Sequence, residues 1–126
     1  MRPVVYDAAV LIAADRNDRR VWADHRVCLE MGIAPAVPST VVAQVSRSSR
    51  QAALRQLLKG CEVLPFRELD AHACGRILGR SRTSDVVDAS VVATAVARGA
   101  AIHTGDRRDL EHLLAAIQAK VEIVDI

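Results

Sequence analysis

The alternation of short apolar runs with helical segments is what most constrains this fold. Val4-Val5-Tyr6, Ile33 to Val37, Val63-Leu64 and Ala100 to His103 are each too short for a helix, and each is followed by residues at helical spacing. Strand then helix, repeated four or five times, predicts an α/β fold. Its central parallel sheet has four to five strands, with helices on both faces joined by right-handed crossovers. At 126 residues the chain is read as one domain, long enough to bury about two thirds of the surface its unfolded form exposes.

Local signals sharpen this outline. The first run stops at Asp7, and Ala8 to Ala14 reads as helix. After a polar break at Asp15 to Asp18, Val21, Trp22, His25, Cys28 and Leu29 repeat at helical spacing up to Gly32, a C-terminal cap. Pro35 removes a backbone donor from the second run, which predicts a short or edge-like strand. Pro38-Ser39-Thr40 starts a helical stretch to Lys59, divided near Ser46 to Ser49. After Pro65 a helix places Cys74, Ile77 and Leu78 on one face, and Arg80 to Ser84 reads as a polar loop. From Asp85 to Arg98 apolar residues surround the helix, which predicts a central element buried on most sides. Leu110, Leu113, Leu114 and Ile117 define an amphipathic helix, and Val121 to Ile123 alternate as a last strand would.

Composition excludes several function classes. Half of the residues are apolar but only Tyr6, Trp22 and Phe66 are aromatic, so the core is built from aliphatic side chains and a surface that reads bases by aromatic stacking is not expected. A net charge of +2 is too small to mark nucleic-acid binding by itself. Lysine occurs only at Lys59 and Lys120; the arginine excess suits bidentate contact with carboxylate or phosphate, or reflects a GC-rich genome. Three cysteines without a C-x-x-C pair fit neither a disulfide framework nor structural zinc, and point to a reduced compartment. With no cleavage-site pattern after a basic region and no membrane-length apolar stretch, the chain is expected to be soluble and cytoplasmic.

Asp7, Asp85, Asp88 and Asp106 carry the functional signal, because each interrupts apolar sequence where a strand ends or a helix begins. Ligands of open parallel sheets bind beyond the carboxyl ends of the strands, where all four can converge. Asp85 and Asp88, three apart, share one helical face. Crowded carboxylates repel one another unless a cation is present, and an oxygen-only set selects a hard ion such as Mg²⁺ or Mn²⁺. That combination suits phosphodiester hydrolysis. Helix capping is the alternative role for Asp85 and Asp106, with Asp109 the better cap of the last helix. A structural role is harder to find for Asp88 among Val86, Val87, Ala89, Val91 and Val92, and Asp7 is similar.

The segments Val4-Val5-Tyr6-Asp7-Ala8, Ser84-Asp85-Val86-Val87-Asp88-Ala89 and Ile102-His103-Thr104-Gly105-Asp106 resemble, in order and spacing, the acidic motifs of PIN-domain nucleases, and most closely those of VapC-type toxins of bacterial toxin-antitoxin pairs. The resemblance implies a compact α/β/α fold, a Mg²⁺- or Mn²⁺-dependent endoribonuclease, homodimers, and a cognate VapB-like antitoxin that blocks the site. Asp7, Asp88 and Asp106 match the family's acidic positions, with Asp85 an additional carboxylate one helical turn before Asp88. Thr104 matches a hydroxyl residue that precedes the last acid. The chain departs from the pattern at Gln44, where the family has Glu. An amide orients water or donates to phosphate but brings no negative charge, and Asp85 is expected to compensate.

Arg47 and Arg50 beyond Gln44, and Arg80 and Arg82 before Asp85, together with Thr104, are candidates for contact with RNA; the arginines read equally as solvated surface or as partners of an acidic antitoxin tail. Two readings from different classes follow. One is a metal-dependent endoribonuclease toxin, and the other a PIN-like protein that binds RNA or an antitoxin with weakened catalysis. A receiver-like module would need a lysine after a strand, and neither lysine follows one.

Overall fold

The computed structural model describes residues 2–126. Five strands form one parallel sheet: β1 (Val4–Tyr6), β2 (Ala36–Pro38), β3 (Glu62–Leu64), β4 (Ala101–Thr104) and β5 (Ile123–Asp125), in the order β3-β2-β1-β4-β5. Seven helices connect and cover them: α1 (Ala8–Asp15), α2 (Arg19–Glu30), α3 (Ser39–Val45), α4 (Ala52–Lys59), α5 (Glu68–Ser81), α6 (Val86–Arg98) and α7 (Arg107–Ala116). The expected α/β/α sandwich is therefore present. The inner strands β1 and β2 are buried at every position, as strands covered on both faces must be.

Asp7 and Asp18 cap α1 and α2 by accepting from the Val10 and Val21 N–H groups. Gly99, in the left-handed region at φ +61°, ends α6. The expected interruption after the second strand lies at residues 46–51, between α3 and α4. Gln51 fastens it, accepting from the Arg47 and Ser48 N–H groups and donating to Asp15 of α1 and the Val45 carbonyl.

Several expectations need correction. β2 is Ala36–Pro38, not Ile33 to Val37, and it is an interior strand. Pro35 lies outside it, so the missing donor costs no ladder bond; the Pro35 carbonyl accepts from Glu62 N instead. Arg80 and Ser81 belong to α5, because the Ser81 hydroxyl folds back on the Leu78 carbonyl and meets the Thr83 hydroxyl at 2.7 Å. The turn follows at Arg82, in left-handed geometry at φ +58°. α6 is enclosed on all sides only over Ala89 to Val92; Val86 and Val96 near its ends are exposed. The last strand starts at Ile123, two residues later than expected.

The core is aliphatic, with Val5, Leu11, Val37, Val41, Leu57, Val91, Val92 and Ile102 among the fully buried side chains. Its main polar inclusion besides the acidic edge is Tyr6, whose hydroxyl meets Nδ1 of buried His25 at 2.8 Å. Burial raises the Tyr6 pKa and lowers that of His25, so the pair is neutral. Tyr6→Phe leaves a buried imidazole nitrogen without a partner, and a loss of about 1–3 kcal/mol is expected in urea denaturation. An unchanged midpoint would mean that water replaces the bond.

Candidate active site at the carboxyl edge of the sheet

The chain starts in the middle of the sheet, lays down β2 and β3 on one side of β1, then returns to place β4 and β5 on the other. The connections leaving β1 and β4 diverge to opposite sides, which opens a crevice beyond the ends of these two strands. Their register sets what stands there. Tyr6 lies opposite His103, and the Asp7 N–H donates to the His103 carbonyl at 3.2 Å, so the residue after β1 meets the end of β4.

Asp7 is 4 % exposed. Its Oδ1 accepts from Val10 N at 3.2 Å and its Oδ2 from the Thr104 hydroxyl. Thr104, fully buried, in turn accepts from the Asp106 N–H at 2.7 Å. That incoming bond directs the threonine proton to Asp7, giving a relay from Asp106 N–H through Thr104 to the Asp7 carboxylate. Burial raises the Asp7 pKa, while Thr104 and the backbone N–H groups of Val10, Ala9 and Gly105 pull it down. Gly105 is required by packing, because a Cβ there would stand 2.9 Å from that of Ala9.

Asp88, in the first turn of α6, is half-buried. Burial, followed by the charges of Asp85, Asp106, Asp109 and Asp7, pushes its pKa up to about 7. Asp106, at the start of α7, is raised first by a hydrogen bond with the Asp109 carboxyl, then by burial and by the charges of Asp109 and Asp7. Carboxylates this close repel one another, and a cation relieves that repulsion. One oxygen from each of Asp88, Asp106 and Asp109 lies within 4.8 Å of the others.

The sequence-predicted residues are therefore placed unevenly. Asp7, Asp88 and Asp106 are brought to one edge. Asp85 is exposed, and its Oδ1 caps α6 by accepting from Asp88 N at 3.0 Å, although its charge still acts on Asp88. The third member of the close cluster is Asp109, which was expected to cap α7 but lies inside its first turn. Its signal was the spacing Asp106-x-x-Asp109, the same as Asp85-x-x-Asp88, which puts two carboxylates on one face of a helix start.

Gln44 is exposed on α3, one turn beyond Thr40, whose hydroxyl meets that of Ser90 on α6 at 2.5 Å. Thr104 has no exposed surface, so its hydroxyl serves Asp7 and Asp106 and not RNA. The Arg47 guanidinium donates to the Ala43 and Ser46 carbonyls at the end of α3. Arg80, on α5, borders a hollow with Ile77, Val96 and Ile117. Arg50 and Arg82 are exposed in loops.

Comparison with known proteins agrees with this architecture. Among solved structures the chain is similar to a chain of the DNA-bound VapBC complex of Salmonella typhimurium, with TM-score 0.72, 20 % identity, and 99 % of this chain and 98 % of that one covered. It is also similar to a chain of VapBC2 from Rickettsia felis bound to a promoter DNA fragment, with TM-score 0.67, 13 % identity and 98 % of each chain covered. PAE2754 from Pyrobaculum aerophilum gives TM-score 0.64 at 22 % identity, with 98 % of this chain and 83 % of that one covered. At these identities the likeness is one of fold. No curated protein matches the chain. The PIN domain family matches residues 4–114, which takes in β1 through most of α7 and every carboxylate of the edge. The chain belongs to the PIN domain family.

Proposed function

We propose that this protein is a Mg²⁺- or Mn²⁺-dependent endoribonuclease, acting in the cytoplasm as the toxin of a type II toxin-antitoxin pair and held in check by a VapB-like antitoxin. The observation that carries the reading is the convergence of Asp88, Asp106 and Asp109 within 4.8 Å at the switch point of the sheet, beside the buried Asp7. The donor set fits a hard divalent cation: all ligand atoms are carboxylate oxygens, and the pKa values of Asp88 and Asp106 are raised in part by neighbouring carboxylates, a repulsion that a cation relieves. Asp88, Asp106 and Asp109 would hold the ion, with Asp7 beside them. When bound, it supplies a Lewis acid for the phosphoryl oxygens and lowers the pKa of a water. Thr104 holds the Asp7 carboxylate in place, and Asp85 fixes the start of α6 so that Asp88 faces the crevice. Arg50 and Arg82, exposed in loops, are the arginines suited to RNA phosphates. Support for an antitoxin partner comes from the VapBC complexes and from the FitAB complex bound to IR36 DNA, the last similar to this chain at TM-score 0.64 and 16 % identity over 97 % of this chain and 94 % of that one.

The second reading, a protein that binds RNA or an antitoxin with weakened catalysis, rests on Gln44, which leaves α3 without the carboxylate usual in the family. Asp109 answers that deficit better than Asp85, because Asp109 lies in the close cluster and Asp85 is engaged as a cap.

Purified protein is expected to cut RNA with Mg²⁺ or Mn²⁺ and to stop on addition of EDTA, with Asp88→Asn losing activity by about 100-fold or more. No cleavage on a broad RNA panel, with antitoxin binding retained, would favour the second reading.

Calorimetric titration with Mn²⁺ separates the carboxylates. Asp109→Asn is expected to weaken binding by about 10-fold or more, and Asp85→Asn by less, since Asn caps a helix as well as Asp and only the charge is lost. Gln44→Glu should tighten binding. Equal losses for Asp85→Asn and Asp109→Asn would return Asp85 to the compensating role.

Asp88 also sets a pH dependence in the metal-free protein. Its folded pKa of about 7 lies above the ordinary value of 3.8, so its contribution to stability is complete below about pH 4 and is lost as pH rises through 7. Asp88→Asn removes that loss, and after allowance for solvent screening a gain of about 1–2 kcal/mol is expected at pH 8, shrinking toward pH 5. Thermal melts of both proteins in EDTA at the two pH values measure it, and a destabilised variant at pH 8 would refute the repulsion.

A further inference from the structure

A phosphodiester strand that reaches the acidic edge meets the charges of Asp85, Asp88, Asp106 and Asp109, so its binding requires fixed positive charge at the rim of the crevice. Such charge stands where the end of α5 touches α7. The Ser81 carbonyl lies 3.0 Å from Nε2 of His112. A carbonyl only accepts, so Nε2 carries the proton and donates it. Arg82 follows Ser81 in the chain, and Arg108 precedes His112 by four residues, on the same side of α7. One bond between two helices therefore sets two exposed arginines side by side. Neither is in an ion pair among the described residues, whereas Arg67, Arg98 and Arg107 are all tied to carboxylates.

The turn that carries Arg82 is strained and firmly held. At φ +58° Arg82 ends α5 in the left-handed region, where glycine is usual and a Cβ is unfavourable. Its N–H and that of Thr83 both donate to the Leu78 carbonyl, the Ser81 and Thr83 hydroxyls meet at 2.7 Å, and His112 secures the Ser81 carbonyl. Residues held in this way against their own preference cluster at binding sites. Glycine would serve the turn itself; what arginine adds is a guanidinium three residues before Asp85. The placement also selects which phosphate is met. His112 is three residues beyond Asp109, about 4.5 Å along the α7 axis from the carboxylate that joins Asp88. The arginine pair is thus displaced from the close cluster and suits a neighbouring phosphate of the same strand, which guanidinium groups grip without reading a base.

We propose that Arg82 and Arg108 clamp a phosphate next to the one cleaved, and that His112 is the positioning residue that sets them side by side. The inference rests on the nuclease reading and adds where the strand is held, so its test reads binding and not cutting. Asp88→Asn protein, expected to leave RNA uncut, is titrated with Mg²⁺ present into a fluorescently labelled single-stranded oligoribonucleotide, and anisotropy is followed. Arg82→Ala and Arg108→Ala, each added to Asp88→Asn, should raise the dissociation constant by about fivefold to tenfold and lower the slope of log affinity against log salt by about 0.7, as the loss of one phosphate contact on a single strand does. Arg82→Gly should weaken binding as much as Arg82→Ala while the melting temperature holds or rises, because glycine suits φ +58°. His112→Ala should weaken binding too, and His112→Gln, whose amide still donates to the Ser81 carbonyl, should restore most of it. Arg67→Ala, at the opposite end of α5, should bind as the parent does. Unchanged affinity and salt slope in both arginine variants would overturn the clamp and leave the nuclease reading to its own cleavage assay. A parent that binds no RNA would overturn it as well, and a His112→Ala loss that His112→Gln does not restore would end the positioning role.

Discussion

The parallel pairing of β1 with β4 is the contact on which the rest depends. Three residue pairs, Val4 with Ala101, Val5 with Ile102 and Tyr6 with His103, fix where both strands end. A slip of one residue would turn every side chain of β1 to the other face and separate Asp7 from Thr104. Because β1 is central and both faces of it are covered, its register is held by burial on two sides. The chain reaches β4 only after ninety-odd residues of crossover, yet the pairing aligns Asp7 with the Thr104-Gly105-Asp106 turn through one buried hydroxyl.

Charge at this edge runs against stability in the metal-free protein. All five carboxylates there, Asp7, Asp85, Asp88, Asp106 and Asp109, stand at the N-cap or within the first turn of a helix. A helix N-terminus favours negative charge by a few tenths of a kcal/mol up to about 1 kcal/mol, which offsets part of the repulsion. The neighbouring carboxylates that help raise the pKa values of Asp88 and Asp106 indicate that it does not offset all of it. Asp85 acts on both sides of the balance, capping α6 through its bond to Asp88 N while its charge raises the Asp88 pKa.

Much of this was legible in the sequence because the two periods, two for strands and 3.6 for helices, change abruptly at punctuating residues. The apolar run before Asp7 and the glycine after Arg98 marked real boundaries. What was hidden depended on contacts distant in the chain. Pro35 looked like a strand breaker, but its carbonyl serves Glu62, a residue 27 positions later. Ser81 read as loop because serine ends helices, yet a local bond to Leu78 and the contact of its carbonyl with His112 keep it in α5. The role of Asp109 was obscured for the opposite reason. A cap was the sufficient local explanation, and only the packing of α7 against α6 brings it to Asp88.

Charge is unevenly distributed over the helices that follow the strands. α3 contributes a neutral amide, while the starts of α6 and α7 contribute Asp85, Asp88, Asp106 and Asp109. The opposed charges are therefore concentrated on the α6–α7 side of the edge, where the neighbouring carboxylates raise the pKa values of Asp88 and Asp106. Four of the five carboxylates at the edge stand on or beside α6 and α7, next to β4, and only Asp7 follows β1.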